Sequence, residues 1–577
     1  MTLSMTALAV VVATARPARA DNPIVQTFYT ADPAPMVHEG RLYLYTSHDE
    51  DVTVKDFYTM NDWRLYSTAD MVNWTDHGSP AGLKTFNWGT DNAWAPQGVA
   101  KNGKFYLFVP LNNNTGAKIG VGVSNNVAGP FMDPLGKALA ASGSGNIDPT
   151  VFVDDDGQAY MYWGNGTLRY VKLGSDMTST VGSITNVSLS GFTEGPWFYK
   201  RAALYYMVYA ATSGSEKISY ATSDSPTGPW TVRGDIMDPG STFTNHPGVV
   251  DYKGHSYFFY HNSALPGGSN YKRSVCVEEF TYGADGSIPK LKMTTKGPSA
   301  VATLNPFQQV EAETIAFSSG LKTEVCSDTG GGMNVTSIGN GDYIKVKEVD
   351  FADGVTSFDA RVSSSASDAK IELHLDSETG TSLGTCDVSG ASSWTTKTCE
   401  VSGGSGKHDL FLKFVGGSGE LFKLNWWRFT GPTMPGGGGD AGGSGGTAGG
   451  GSGGVGVGGM SNGTSGGAGA AGTASGSGGA ISAGAGGLST TAGSSNGGSA
   501  VSSGGAGSSS MPGAGGRAGS APAAAGAGGN GASDDPGGCS CRAATSSPNG
   551  GLVAALGMLA AGLVLRRRRE RARDTRL

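Results

Sequence analysis

This 577-residue chain is poor in cysteine, in basic charge and in long apolar runs, and each shortage excludes a class of function. Its six cysteines include no CxxC pair and no Cys/His set with zinc spacing, which rules out the common structural zinc motifs. Lys and Arg number 41 against 48 Asp and Glu, for a net charge of −7, and they cluster only at 566–569. The rest of the chain therefore offers no basic face for nucleic acid. Residues 551–565 are apolar but fall short of the about 20 residues that a membrane-spanning helix needs. Residues 431–538 lack aromatics and consist mainly of Gly, Ser, Ala and Thr; they cannot bury a core and read as a disordered linker. No Lys or Arg precedes the apolar residues 8–13. Ala18-Arg19-Ala20 nevertheless offers a small-x-small cleavage site, so residues 1–20 read as a signal peptide. The protein is then secreted or cell-surface anchored. An exported chain suits a disulfide between Cys386 and Cys399, which flank an expected hairpin; Cys276 with Cys326 is left open.

What is present, up to Thr430, is a wealth of Tyr, Trp, Phe and β-branched residues arranged in repeats. Five segments place a turn residue before an aromatic-rich strand: GRLYLYTSHD from Gly40, GKFYLFVPLN from Gly103, GQAYMYWGN from Gly157, AALYYMVYAA from Ala202 and GHSYFFYHN from Gly254. Consecutive turns lie 63, 54, 45 and 52 residues apart. Five strand-rich units of that size predict an all-β fold, a five-bladed β-propeller over 21–303. A β-sandwich with chance similarity is the alternative. A second unit, over 305–430, shows short strands between Gly/Ser turns and reads as a β-sandwich (jelly-roll) module. The linker over 431–538 follows it, and then a tail over 539–577 with a short hydrophobic helix.

Upstream of each aromatic strand a residue stands at or just before a proline: Asp32, Ala95, Asp148, Glu194 and His246. In a propeller these positions start the innermost strands and converge at one mouth. Hydrolysis of a glycosidic bond needs two carboxyl groups, one to protonate the leaving oxygen and one to activate water or attack the sugar. Asp32, Asp148 and Glu194 supply both, with a third to tune the acid. Any single Asp-Pro is more simply a turn; three acidic positions out of five equivalent ones carry the case.

The segments TADPAPMVHEGRLYLYTSHDE, NIDPTVFVDDDGQAYMYWG and TEGPWFYKRAALYYMVYA resemble the three active-site blocks of glycoside hydrolase family 43, over residues 22–300. The resemblance implies a five-bladed inverting enzyme with Asp32 as general base, Asp148 as the residue that tunes and orients, and Glu194 as general acid. An inverting pair stands about 6.5–9.5 Å apart. The resemblance also implies a substrate-clamping Arg273, a channel His246 facing a calcium ion through water, and Trp94 as a stacking platform. The segments EAE at Glu311 and Glu313, NGDYI at Asn340 and NWW at Asn425 resemble carbohydrate-binding module family 6. There Glu311 and Glu313 help to hold a structural calcium, while Trp394 and Asn425 bind sugar. Ser337 stands where that family commonly has a second aromatic. The tail resembles the MYXO-CTERM sorting domain, with Cys539 and Cys541, an apolar run and an Arg cluster, and so implies attachment to the cell envelope.

The function expected is removal of arabinofuranosyl side chains from arabinoxylan by a monomer. The module would raise the local concentration of polymer. β-Xylosidase and arabinanase activities remain open, as does a non-catalytic surface carbohydrate-binding protein.

Overall fold

The computed structural model describes residues 20–54, 56–212 and 214–432. The expected signal peptide other than Ala20, the linker beyond residue 432 and the tail with its hydrophobic helix lie outside the described residues. Among the described residues, apart from one 3-10 turn at Leu83–Thr85, every regular element is a strand.

Each predicted aromatic segment forms the second strand of an antiparallel sheet. These strands are Arg41–Asp49, Lys104–Leu111, Ala159–Trp163, Leu204–Ala211 and His255–Asn262. They pair with first strands Tyr29–His38, Gln97–Lys101, Thr150–Val153, Phe192–Arg201 and Gly248–Tyr252. Three of the hairpin turns, Glu39–Gly40, Asn102–Gly103 and Lys253–Gly254, have positive φ at both residues (48° and 74°, 53° and 72°, 48° and 82°). Two consecutive left-handed residues make the tight turn whose twist matches paired strands, and this selects Gly at the second position.

Side chains along these strands alternate between two cores. In His255–Asn262, Phe258 and Tyr260 pack with Tyr45, Trp63 and Leu107, whereas Tyr257 and Phe259 pack with Leu42, Leu44 and Trp74. Such alternation is what a sheet buried on both faces requires. The first strands are neighbours: Tyr29–His38 lies against Gln97–Lys101 and Gly248–Tyr252, and Thr150–Val153 lies against Gln97–Lys101 and Phe192–Arg201. The Trp197 indole donates to the Val249 carbonyl at 2.9 Å. The N-terminal segment returns to the fifth sheet, where the Ala20, Asn22 and Ile24 amides donate to the carbonyls of Pro298, Thr295 and Val275.

The second unit is a sandwich of a six-stranded and a five-stranded antiparallel sheet. Its core contains Val335, Ile344, Phe358, Leu373, Leu412, Phe414 and Trp427, all buried. The Cys386–Cys399 disulfide forms, but not across a hairpin. Ser382–Asp387 belongs to the five-stranded sheet and Thr395–Gly403 to the six-stranded one, so the bond staples the two layers. Cys276 and Cys326 are buried free thiols and do not pair.

The two units interlock. Thr314–Ile315 of the second pairs with Trp74–Asp76 and extends the first sheet. The Asn73 side chain imitates a strand partner: it donates to the Lys347 carbonyl at 2.9 Å and accepts from the Lys347 amide at 2.8 Å. Asp21 pairs with Lys347 at 2.8 Å and with Lys345 at 3.3 Å.

Candidate active site

The three acidic pre-proline segments share an unusual backbone. Asp32 and Asp148 have φ of 52° and 57°, and Gly195, between Glu194 and Pro196, has φ of 58°. Left-handed φ is uncommon for non-glycine residues, and a following proline restricts the backbone further. The strain is local: register breaks between Ala31 and Ala34 and again between Glu194 and Trp197. Such conformations persist only where the surroundings over-determine them. Ala95 and His246, the other two pre-proline positions, are not among the residues with positive φ.

Asp32 is buried and held by many partners. Its Oδ2 accepts from the Ser47 hydroxyl at 2.6 Å, and its Oδ1 accepts from Arg273 Nη1 at 3.0 Å. The same guanidinium grips Asp49, donating from Nε to Oδ2 at 2.9 Å and from Nη2 to Oδ1 at 3.0 Å. It also lies over the Tyr58 ring, 4.7 Å from its centroid. Burial pushes the Asp32 carboxyl up, but Arg273, His246, His261 and the Ser47 hydroxyl outweigh it and hold Asp32 at about 2. His261 receives the Asp32 amide proton at Nδ1 (3.3 Å), which leaves its Nε2–H to donate to the Thr244 carbonyl at 3.0 Å. Burial and then Arg273 drive His261 down to about 3. His246 is likewise pushed down by burial; its Nδ1 stands 3.9 Å from Asp32. Both rings are therefore neutral at neutral pH.

Asp148 and Glu194 move the other way. Burial, then Glu194, then Asp32 drive Asp148 well up, while its Oδ2 accepts from the Gly195 amide at 2.9 Å. Glu194 is half-buried and is raised by burial, against hydrogen bonds from Glu216 and Asn165. One site thus pushes one carboxyl group towards its ionised form and two towards their protonated forms, the pairing that acid–base chemistry requires.

His246 lies directly under Gly195, where an added Cβ would come within 3.1 Å of Nδ1. Trp94 is half-buried beside the same core; its carbonyl accepts from the Trp63 indole at 2.6 Å. The structure thus brings Asp32, Asp148, Glu194, His246 and Arg273 together. Trp394 and Asn425 meet elsewhere, on the module, at a loop where Trp394 Nε1 donates to Ser327 Oγ (3.0 Å) and Asn425 Nδ2 donates to Asp328 Oδ2 (3.0 Å). Asp328 is itself paired with Arg361 at 2.7 Å, so the Asn425 amide is already committed within the protein. Ser337 is exposed, with φ of 58°.

Calcium is expected at two places, near Glu311 and Glu313 and near His246. Glu313 is buried with one carboxylate oxygen unpartnered, and burial followed by Glu311 and Asp76 pushes its carboxyl well up. Among the described residues, neither His246 nor the Glu311–Glu313 pair belongs to a group of three clustered metal-ligating side chains. Among the described residues, three side chains with metal-ligand atoms within 4.8 Å of one another occur at His48, Glu50 and Asp62.

Sequence reasoning did not single out Asp49, Tyr58, Asn165, Glu216 or His261, although Asp49, Asn165 and His261 stand at the ends of three of the aromatic repeat segments. Asp49 was legible: Ser47 and Asp49 share one face of their strand by simple alternation, and both reach the site. Glu216 precedes a third strand, Lys217–Ser223, where nothing in the repeats marks it.

Comparison with known proteins agrees with this geometry. Residues 20–288 match the family described as "Glycosyl hydrolases family 43", and residues 311–431 match "Carbohydrate binding module (family 6)". The "Arabinoxylan arabinofuranohydrolase" of Bacillus subtilis is 37% identical over 476 residues, covering 71% of this chain and 92% of the relative. The protein of the same name from Paenibacillus polymyxa is 35% identical, covering 71% and 74%. A crystal structure of a family 43 arabinoxylan arabinofuranohydrolase from Bacillus subtilis in complex with cellotetraose superposes with a TM-score of 0.65 at 35% identity, covering 71% of this chain and 97% of that one. With carboxyl groups pushed in opposite directions within one buried site, and with the Bacillus subtilis relative matched over 92% of its length, the chain belongs to glycosyl hydrolases family 43 and carries a family 6 carbohydrate-binding module.

Proposed function

We propose that this enzyme removes α-L-arabinofuranosyl side chains from arabinoxylan with inversion, on a five-bladed propeller whose mouth holds Asp32, Asp148 and Glu194. The observation that carries the mechanism is that Arg273 and Ser47 bind the Asp32 carboxylate and hold its pKa down, whereas burial pushes that of Glu194 up. Asp32, ionised, takes a proton from a water molecule as that water attacks the anomeric carbon. The bond from that carbon to the leaving oxygen breaks, and Glu194 gives its proton to that oxygen. Asp32 then returns a proton to solvent and Glu194 regains one, so the cycle closes. Asp148 accepts from the Gly195 amide beside Glu194 and so orients the acid, while burial and then Glu194 push the Asp148 carboxyl itself up. Arg273 fixes Asp32 and leaves that carboxylate charged. Trp94 and His246 line the sugar site.

The arabinoxylan assignment rests on likeness to the two arabinofuranohydrolases. Incubation of the full chain with wheat arabinoxylan tests it: free arabinose with an intact backbone is expected. Free xylose would make it a xylosidase. No sugar from either xylan or arabinan would leave a carbohydrate-binding protein. Glu194→Gln is expected to lower turnover of unactivated substrate by about 10²–10⁴-fold while binding survives.

The proposal extends to the rest of the chain. Calcium bound by Glu311 and Glu313 would relieve their mutual repulsion. Chelation is then expected to lower the melting temperature of the wild type and to leave Glu313→Gln almost unmoved; equal shifts in both would count against the site. Trp394 offers a stacking face for sugar on the module. The protein is exported, acts as a monomer, and is held at the cell envelope through its C-terminal tail.

A further inference from the structure

Glu216 is 3% exposed and has no part in the mechanism above. Its backbone amide donates to the Phe243 carbonyl at 3.1 Å, and its Oε2 accepts from the Asn245 amide at 2.8 Å. Its carboxyl group faces that of Glu194, within reach of a shared hydrogen bond. Two carboxylates cannot share a hydrogen bond without a proton between them. Which residue keeps that proton follows from the surroundings. The charged groups facing Glu216 are Glu194 and Asp148, both acidic. Glu194 faces Arg273 as well as Asp32, Asp148 and Glu216, and it accepts a further bond from Asn165 Nδ2. Burial and the Glu194 charge both favour protonated Glu216.

We propose that Glu216 is a positioning residue: it keeps its proton throughout the cycle and donates it as a hydrogen bond to Glu194. This rests on the assignment of Glu194 as the general acid. With Glu216 and Asn165 both donating to it, the Glu194 carboxyl is held in place. When Glu194 gives its own proton to the leaving oxygen it becomes a carboxylate, and both donated bonds become charge-assisted and stronger. The interaction thus grows in the transition state, where it accelerates the reaction. No proton leaves Glu216 at any step.

This makes an unusual demand on substitution. In Glu216→Gln the amide nitrogen can donate to Glu194 while the amide oxygen accepts from Asn245, so the working form is reproduced. The expected result is kcat within about threefold of wild type and an unchanged pH profile. Glu216→Leu loses the donor. Its kcat is expected to fall about 10–100-fold with KM nearly constant. The basic limb of kcat/KM should move to higher pH, because Glu194 without a donated bond binds its proton more tightly. A folded Glu216→Gln as inactive as Glu216→Leu would overturn the proposal, since Glu216 would then have to ionise. An unmoved kcat and basic limb in Glu216→Leu would overturn it equally. Should Glu216→Leu fail to fold, the Gln variant alone decides. Glu194→Gln is measured alongside: if it keeps activity on unactivated arabinoxylan, the acid assignment itself fails, whereas its loss with a normal Glu216→Leu removes only the role of Glu216.

Discussion

Arg273 holds two buried carboxylates at once, Asp32 and Asp49, and all three side chains are almost fully shielded from solvent. Breaking such a cluster from the cationic side leaves uncompensated charge in a low-dielectric site. In Arg273→Gln the Asp32 carboxyl loses the strongest influence that opposes burial. Its pKa therefore rises, and because activity needs Asp32 ionised, the acid limb of kcat/KM should climb from about 2 by about 1–3 on the pH scale. The same variant should be destabilised by about 3–5 kcal/mol, measured by urea unfolding at neutral pH. An unmoved acid limb would mean that Asp32 is not the group titrating there.

At the scale of the strand, the site depends on irregularities rather than on regular pairing. Gly195 is the clearest case: its φ is left-handed and a methyl group would press on His246. Gly195→Ala is expected to lower both the melting temperature and kcat, because the displaced backbone carries Glu194 and the amide that binds Asp148. Gly157→Ala is the control. Its φ is 83° and nothing lies within 4 Å of the added carbon, so only backbone strain of about 1 kcal/mol is expected, with kcat unchanged. The regular strands were legible because alternating Tyr, Phe and Leu can only mean a sheet buried on both faces, as at Tyr257 to Tyr260. The acidic pre-proline positions were legible from their recurrence. The partners were not. Glu216 reaches Glu194 from a loop outside the repeat frame, and Asn165, although it ends a repeat segment, carries no charge or proline to mark it. The sheet-to-sheet placement of Cys386 and Cys399 was hidden because 13 residues of separation suits a hairpin equally well.

Across the whole molecule, stability and catalysis reside in different layers. The Cys386–Cys399 bond closes a short loop between the sheets of the module, far in sequence from the carboxylates. Replacing both cysteines by serine is expected to cost about 3 kcal/mol in urea unfolding of the module while hydrolysis of small aryl arabinofuranosides is retained. The module also reaches into the catalytic unit. Thr314–Ile315 occupies the outer edge of the first sheet, Thr323 donates a hydrogen bond to Asp76, and Asn73 clasps Lys347. Amputation of the module would uncover the Trp74–Asp76 strand, a ready template on which further molecules could add themselves, strand upon strand. The boundary between the two units is thus a seam within one sheet, and the module serves as a chaperoning edge guard as much as a hand for polysaccharide.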